Sequence, residues 1–165
     1  MKRFLSLVLL GVSVASAYQP AAKDRLDLPL KDNSTRFAVI GDMGTGKKPQ
    51  YEVAAKMEQY RKLFPYDFVI TLGDNIYGSQ SASAFKAKFE DPYRPLLEAG
   101  VNFYASLGNH DNANQRLYKP FNMNGKRYYS FKKGKAEFFS LDSNYMDREQ
   151  TKWLETGLSG STAVW

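Results

Sequence analysis

Short apolar runs separated by polar, helix-length segments set the pattern of this chain. Runs of about four to eight apolar residues bounded by turn residues are typical of strands. The first run follows Arg36 without a polar interruption, which predicts a strand buried on both faces. The last two runs flank the turn Lys133-Gly134-Lys135, which predicts a hairpin. The five predicted strands are Arg36–Gly41, Asp67–Leu72, Val101–Leu107, Arg127–Lys132 and Ala136–Leu141.

Helical periodicity fills the intervals between the strands. In the first interval, apolar residues recur at helical spacing and predict one buried face, formed by Val53, Met57, Tyr60 and Phe64. Pro92 separates two short helices in the second interval, and Asp147 is a predicted N-cap. The predicted helices are Gln50–Phe64, Phe85–Phe89, Pro95–Ala99 and Asp147–Leu158.

This alternation of strands and helices predicts an α/β fold. We place one domain at residues 36–165, after a polar lead-in at residues 18–35. In folds of this class, ligands bind in loops beyond the carboxyl ends of the strands. Those loops are therefore the first place to look for chemistry.

The first seventeen residues are typical of a secretory signal peptide. Lys2 and Arg3 precede an apolar run from Phe4 to Val14, and Ala15-Ser16-Ala17 forms an A-x-A cleavage site. The run is too short to span a bilayer as a helix. We therefore predict an exported protein, cleaved after Ala17, without a stable membrane anchor.

Charge and residue usage exclude several classes of site. Removing Lys2 and Arg3 from 23 basic residues leaves 21 against 17 acidic residues, a net charge of +4. This excess favours anionic substrates such as phosphate esters but is too small to predict nucleic-acid binding. The chain has no Cys and a single His, His110. Thiolate chemistry and zinc sites with several imidazoles cannot be built from these residues.

Three loops that follow predicted strands each begin with Gly and then offer a metal-binding side chain. They are Gly41-Asp42-Met43-Gly44, Gly73-Asp74-Asn75-Ile76-Tyr77 and Gly108-Asn109-His110-Asp111. Singly, each also fits a turn, an N-cap or a packing residue. Together they suggest two metal ions, about 3.5–4 Å apart, that would activate water and clamp a phosphate ester. Asp74 suits a bridging role because a carboxylate has two oxygens.

These motifs resemble those of the calcineurin-like metallophosphoesterase superfamily. Where most members have Asp-x-His, this chain has Asp42-Met43-Gly44, and it carries Tyr77 after the second Gly-Asp. Both departures are typical of small purple acid phosphatases of the tartrate-resistant type. The resemblance continues through Phe89–Tyr93, Ser106–Asp111 and Phe138–Asp142, and covers about residues 36–160.

The resemblance implies a fold and a set of residue roles. The fold would be the first half of an αββα metallophosphoesterase sandwich, a mixed sheet with flanking helices. Asp42 and Tyr77 would bind Fe³⁺, Asp74 would bridge the metals, and Asn109 would bind Fe²⁺, Zn²⁺ or Mn²⁺. His110 would bind phosphate or protonate the leaving alcohol, with Asp111 suggested to orient it, while metal-bound hydroxide would hydrolyse a phosphate monoester.

The family completes its site with three later His residues, which this chain lacks after His110. We therefore expect a C-terminally truncated chain, with much of the second sheet missing and an apolar face exposed. One alternative is a catalytically incomplete remnant of the fold. Another is a P-loop nucleotide binder, because Gly41–Lys47 fits G-x-x-x-x-G-K, although Lys48 replaces the expected Ser or Thr.

Overall fold

Three short strands form a parallel sheet in the computed structural model, which describes residues 30–164. The strands are β1 (Phe37–Ile40), β2 (Phe68–Thr71) and β3 (Asn102–Ala105), with β2 in the centre. Their parallel register confirms the predicted α/β class and brings the three following loops to one edge of the sheet. The predicted signal peptide lies outside the described residues.

Helices cover one face of this sheet and form the main core with it. They are α1 (Lys48–Leu63), α2 (Ala82–Phe85), a π-helical turn (Lys86–Glu90) and α3 (Asp91–Glu98). Phe103 of β3 is fully buried and meets Phe89 edge-to-face at a ring separation of 5.0 Å. None of the helices within residues 30–164 is long and apolar enough to cross a membrane.

Pro92 does not separate two helices, contrary to the prediction. Proline lacks the N–H that would donate to the carbonyl four residues earlier, here that of Lys88. The Gln50 side chain donates to the Lys88 carbonyl instead, at 2.5 Å. The π-helical turn shifts the neighbouring hydrogen bond so that Asp91 N donates to the Lys86 carbonyl. The helical path therefore continues from Ala82 to Glu98.

A hairpin and a final helix cover the other face of the parallel sheet. Strands β4 (Tyr129–Lys133) and β5 (Ala136–Ser140) pair antiparallel as a separate sheet, and α4 spans Arg148–Gly160. Phe131 stacks on Tyr104 of β3 at 3.8 Å, whereas Phe139 points to the opposite side and contacts Trp153 of α4. The layers are thus helices, sheet, hairpin and helix, the order of an αββα sandwich.

The prediction that β1 is buried on both faces is wrong. Ala38 and Ile40 pack against the core, but Phe37 and Val39 on the other face are 37% and 51% exposed. β1 is an edge strand, and the hairpin reaches only its Phe37 end, where Phe138 lies 5.2 Å from the Phe37 ring. An apolar run alone cannot distinguish a covered face from an uncovered one.

The predicted buried face of α1 is also largely wrong. Gln50, Ala54 and Met57 face the core, while Val53 and Tyr60 are 46% and 37% exposed. Gln50 is buried because it satisfies two backbone groups, accepting from Gly46 N and donating to the Lys88 carbonyl. The polar contact between Gln50 and the neighbouring helix therefore decides which face of α1 packs on the core, and this face is not the one that the apolar spacing predicted.

Candidate metal centre

Direct backbone contacts hold together the loops that follow β1, β2 and β3. Asp42 N donates to the Gly73 carbonyl at 3.2 Å, and Tyr77 N donates to the Gly44 carbonyl at 3.0 Å. A Cβ atom at Gly73 would lie 2.6 Å from the Gly108 Cα, so glycine is required for this close approach. The three predicted motif loops therefore form one surface at the carboxyl edge of the sheet.

Three of the predicted metal ligands meet on this surface. The Tyr77 hydroxyl donates to Asp42 Oδ1 at 2.6 Å and lies 3.0 Å from Asp74 Oδ2. Both aspartates have left-handed backbone, with φ of 54° at Asp42 and 51° at Asp74. Such a conformation is uncommon for residues other than glycine and concentrates at functional sites. With this backbone conformation, both carboxylates point to the Tyr77 hydroxyl.

The electrostatics of this cluster favour a positive charge between its oxygens. The hydrogen bond to Asp42, followed by burial and the bond to Asp74, raises the pKa of Tyr77 well above its ordinary value. The phenol is therefore protonated at neutral pH, and its proton lies between two carboxylates. Carboxylate and phenolate oxygens are the ligands that hard cations prefer. A cation could thus replace the proton among these oxygens.

Asn109 and His110 lie beside the cluster without completing it. His110 N donates to Asp74 Oδ1 at 3.1 Å, and the imidazole ring centre lies 5.4 Å from that of Tyr77. The Asn109 side chain is exposed and forms no hydrogen bond within residues 30–164. In the same part of the chain, no three His, Cys, Asp or Glu side chains form a metal-binding group. Any centre here needs the phenol and amide oxygens.

The suggestion that Asp111 orients His110 is wrong. Its carboxylate instead accepts hydrogen bonds from the backbone of Asn75, Ile76 and Gly108, and from the Gln115 side chain. These bonds link the second motif loop to the third.

Asn75 is a supporting residue that sequence reasoning did not single out. It is fully buried, and its side chain donates to the Ser106 carbonyl at 2.7 Å and to Asp111 Oδ2 at 2.8 Å. Its Oδ1 accepts from the Thr71 hydroxyl at 2.5 Å. Its position directly after Asp74 was the only available signal, since an Asn in a turn is normally read as a solvent-exposed residue.

The loop after β1 does not have the arrangement of a P-loop. In a P-loop, successive backbone N–H groups face a phosphate. Here Gly46 N donates to Gln50 Oε1 at 2.6 Å, and Lys47 N donates to Thr45 Oγ1 at 3.2 Å. A Cβ atom at Gly44 would overlap the Asn75 carbonyl, so the loop packs against protein. The nucleotide-binding alternative is not supported.

Comparison with known proteins identifies the family. The model of the calcineurin-like phosphoesterase family matches residues 35–158, and this chain belongs to that family. It is 34% identical over 157 residues to purple acid phosphatase 7 of Arabidopsis thaliana, across 84% of this chain and 47% of that protein. It is 31% identical over 97 residues to tartrate-resistant acid phosphatase type 5 of Oryctolagus cuniculus, across 51% of this chain and 30% of that protein.

These relatives confirm the resemblance to purple acid phosphatases. The chain spans about half the length of the plant relative, and the alignment covers less of the rabbit one. Among solved structures, it is similar to GAP50, the anchor in the inner membrane complex of Plasmodium, with a TM-score of 0.55. That match has 22% identity and covers 75% of this chain and 48% of the other, so it supports the fold alone.

Proposed function

We propose that this chain supplies the first part of a dinuclear metal site that hydrolyses phosphate monoesters, as in acid phosphatases. One observation carries the proposal: Asp42 in the first motif loop and Asp74 in the second each place a carboxylate oxygen within hydrogen-bond distance of the Tyr77 hydroxyl. Membership of the calcineurin-like phosphoesterase family supports phosphoester hydrolysis in general.

The available donors fit hard cations. Asp42 and Tyr77 would hold the first ion, for which we propose Fe³⁺ because a phenolate suits a hard, highly charged cation. Asp74 would bridge to a second ion, Fe²⁺, Zn²⁺ or Mn²⁺, which would also bind Asn109. When bound, such a pair activates water and neutralises charge on the transferring phosphoryl group. The coordination shell of the ion bound by Asn109 would need further ligands from elsewhere in a longer protein.

His110 is the proposed general acid. Its side chain is exposed, its backbone N–H is bound to Asp74, and its ring lies beside that of Tyr77. An imidazole here can bind a phosphate oxygen or give a proton to the departing alcohol. We also propose that the protein is exported, on the signal-like pattern of residues 1–17.

The test compares Asp74→Asn with Asp67→Asn in the full reading frame that contains this chain. Asp67 is an exposed carboxylate just before β2, at the opposite end of the strand from Asp74. Metal content and hydrolysis of 4-nitrophenyl phosphate would be measured together. We expect Asp74→Asn to lose bound metal and to lower kcat/KM by at least about a hundredfold. Removing a residue that only orients a metal ligand usually costs about 10–100-fold, and removing the ligand itself should cost more. Asp67→Asn should match the wild type.

The same measurements separate the enzyme from the catalytically incomplete remnant. A protein that binds two ions per chain and turns over phosphate esters supports the enzyme. If the wild-type protein binds no metal and Asp74→Asn changes nothing, the dinuclear proposal is wrong and the remnant alternative is favoured.

A further inference from the structure

The Asp111 carboxylate is the most heavily bonded acidic group at the carboxyl edge of the sheet. Its Oδ1 accepts from Asn75 N at 2.8 Å, from Ile76 N at 3.1 Å and from Gln115 Nε2 at 2.7 Å. Its Oδ2 accepts from Gly108 N at 2.9 Å and from Asn75 Nδ2 at 2.8 Å. Five N–H groups from two loops and a following helical turn thus converge on one side chain.

The backbone of the second motif loop explains this convergence. Gly73 and Asp74 both have positive φ, at 98° and 51°. The next two N–H groups, those of Asn75 and Ile76, point to the same side and form a concave anion-binding site. Asp111 fills that site from the neighbouring loop. Its negative charge therefore stabilises the same left-handed turn that directs the Asp74 side chain to Tyr77.

Gln115 adds a buried side-chain donor to this arrangement. The residue is 1% exposed and gives its side-chain N–H to Asp111. Its own Oε1 is buried without a hydrogen-bond partner in the described part of the chain. The buried amide is therefore oriented with its nitrogen toward the Asp111 carboxylate.

We infer that Asp111 is a positioning residue, which holds Asp74 in its left-handed conformation through the backbone of Asn75 and Ile76 and thereby sets the geometry of the metal ligands. Within residues 30–164 its carboxylate forms no hydrogen bond with Tyr77 or Asp42, so its hydrogen bonds reach the cluster through the loop that carries Asp74. The chemical importance of this role rests on the proposed function, whereas the positional role can be tested without metal or substrate.

The His110 backbone amide provides the decisive measurement. It donates to Asp74 Oδ1 and forms no hydrogen bond with the Asp111 side chain within residues 30–164, so its hydrogen exchange reports the placement of Asp74. We expect Asp111→Asn to accelerate exchange at His110, Asn75 and Ile76 by about tenfold or more, because a charged hydrogen-bond acceptor is lost. Asp74→Ala is the positive control for His110.

Two further variants separate positioning from general stability. Asp147→Asn removes a carboxylate that caps α4 far along the chain, and should leave exchange at His110 unchanged relative to global unfolding. Gln115→Met removes one arm of the network without touching a peptide group. It should accelerate the same amides by a smaller factor, and it serves if Asp111→Asn fails to fold. If the His110 amide exchanges at the wild-type rate in both Asp111→Asn and Gln115→Met, the inference is overturned.

Terbium ion provides a second, independent readout as a hard-cation probe. Asp111→Asn should weaken its binding by about tenfold or more, the usual cost of removing a residue that orients a metal ligand, with Asp147→Asn unchanged. If Asp74→Ala binds terbium as tightly as the wild type, the proposed metal centre is wrong. The role of Asp111 would then be decided by the His110 exchange rate alone.

Discussion

The two faces of the parallel sheet differ sharply in how well they are covered. On the helix-covered face, Val69, Phe103 and Ala105 are fully buried. On the hairpin-covered face, Phe68 is buried beneath Phe131 and Phe138, but the hairpin does not cover the whole face. Val39 and Leu72 on that face are 51% and 65% exposed.

The difference shows which part of the fold holds the motif loops in place. The loops start at strand ends whose inward residues belong to the helix-covered core, and Tyr93 of α3 even donates to the carbonyl of Met43 in the first loop at 3.3 Å. The hairpin adds only a few contacts to the same edge, such as Ser140 to Ser106 at 3.0 Å. Stability and candidate chemistry should therefore depend unequally on the two faces.

The largest expected effect comes from deleting a ring on the helix-covered face. Phe103→Ala should lower the free energy of unfolding by about 3–5 kcal/mol, the usual cost of truncating a buried aromatic residue. Val39→Ala on the other face should cost less than about 1 kcal/mol, because the side chain is half exposed. Guanidinium unfolding of both variants measures this, and equal losses would contradict the comparison.

The next effect tests the close approach of the motif loops. A Cβ atom at Gly108 would overlap the backbone N and carboxylate of Asp74. Gly108→Ala should therefore destabilise the protein by about 3 kcal/mol, at the upper end for overpacking. Gly160→Ala is the matched control, since a Cβ there meets no atom within 4 Å, and should stabilise by about 0.5 kcal/mol. A thermal unfolding series that ranks the two variants equally would refute the tight packing of these loops.

Arg127 joins the hairpin to α4 and tests the outer layer. Its guanidinium binds the buried carboxylate of Asp142 and that of Asp147, each at 2.9 Å. Arg127→Met should cost about 2 kcal/mol, mainly because the Asp142 carboxylate is left buried without its charged partner. Amide exchange should then rise in α4 more than in β2 or β3. A uniform rise through both sheets would mean that the two faces unfold as one unit.

The smallest effect is a pH dependence at the start of α4. The hydrogen bond from Gln150 N, helped by Arg127, lowers the pKa of Asp147 in the folded protein. Its contribution is therefore complete above the unfolded pKa of about 3.9 and is lost as pH falls through the lower folded value. Asp147→Asn removes this titration, so the stability advantage of the wild type should shrink below about pH 4. If the stability advantage of the wild type over Asp147→Asn stays constant between about pH 2 and pH 7, the Asp147 carboxylate is excluded as its source.

Much of the fold could be predicted because local patterns and tertiary packing agree in most of the chain. All five strands and the N-cap Asp147 lie where the apolar runs and capping chemistry place them. The failures occur where a partner distant in sequence decides the outcome. The hydrogen bonds of Gln50 decide which face of α1 is buried. The same side chain donates to the Lys88 carbonyl, which allows the helix to continue through Pro92. Neither effect leaves a periodic signal.

The candidate site divides in the same way. The motifs identified Asp42, Asp74 and Tyr77, and these side chains do meet. The place of Asn109 in a metal site stays a prediction, as does the catalytic role of His110. The supporting contacts of Asn75, Asp111 and Gln115 could not be predicted, because each depends on loops that become neighbours only in the folded chain.

By itself, the sequence determined the chemical types available to this protein: oxygen donors after three strands, one imidazole and no thiol. It also determined that these donors share one edge, since parallel strands place their carboxyl ends together. Only the tertiary structure decided which apolar faces are covered. It also decided that the carboxylate of Asp111 supports the motif loops through hydrogen bonds and does not join the cluster of Asp42, Asp74 and Tyr77. The physical reason is that burial and hydrogen bonding depend on groups distant in sequence, whereas motifs and periodicity record only local order.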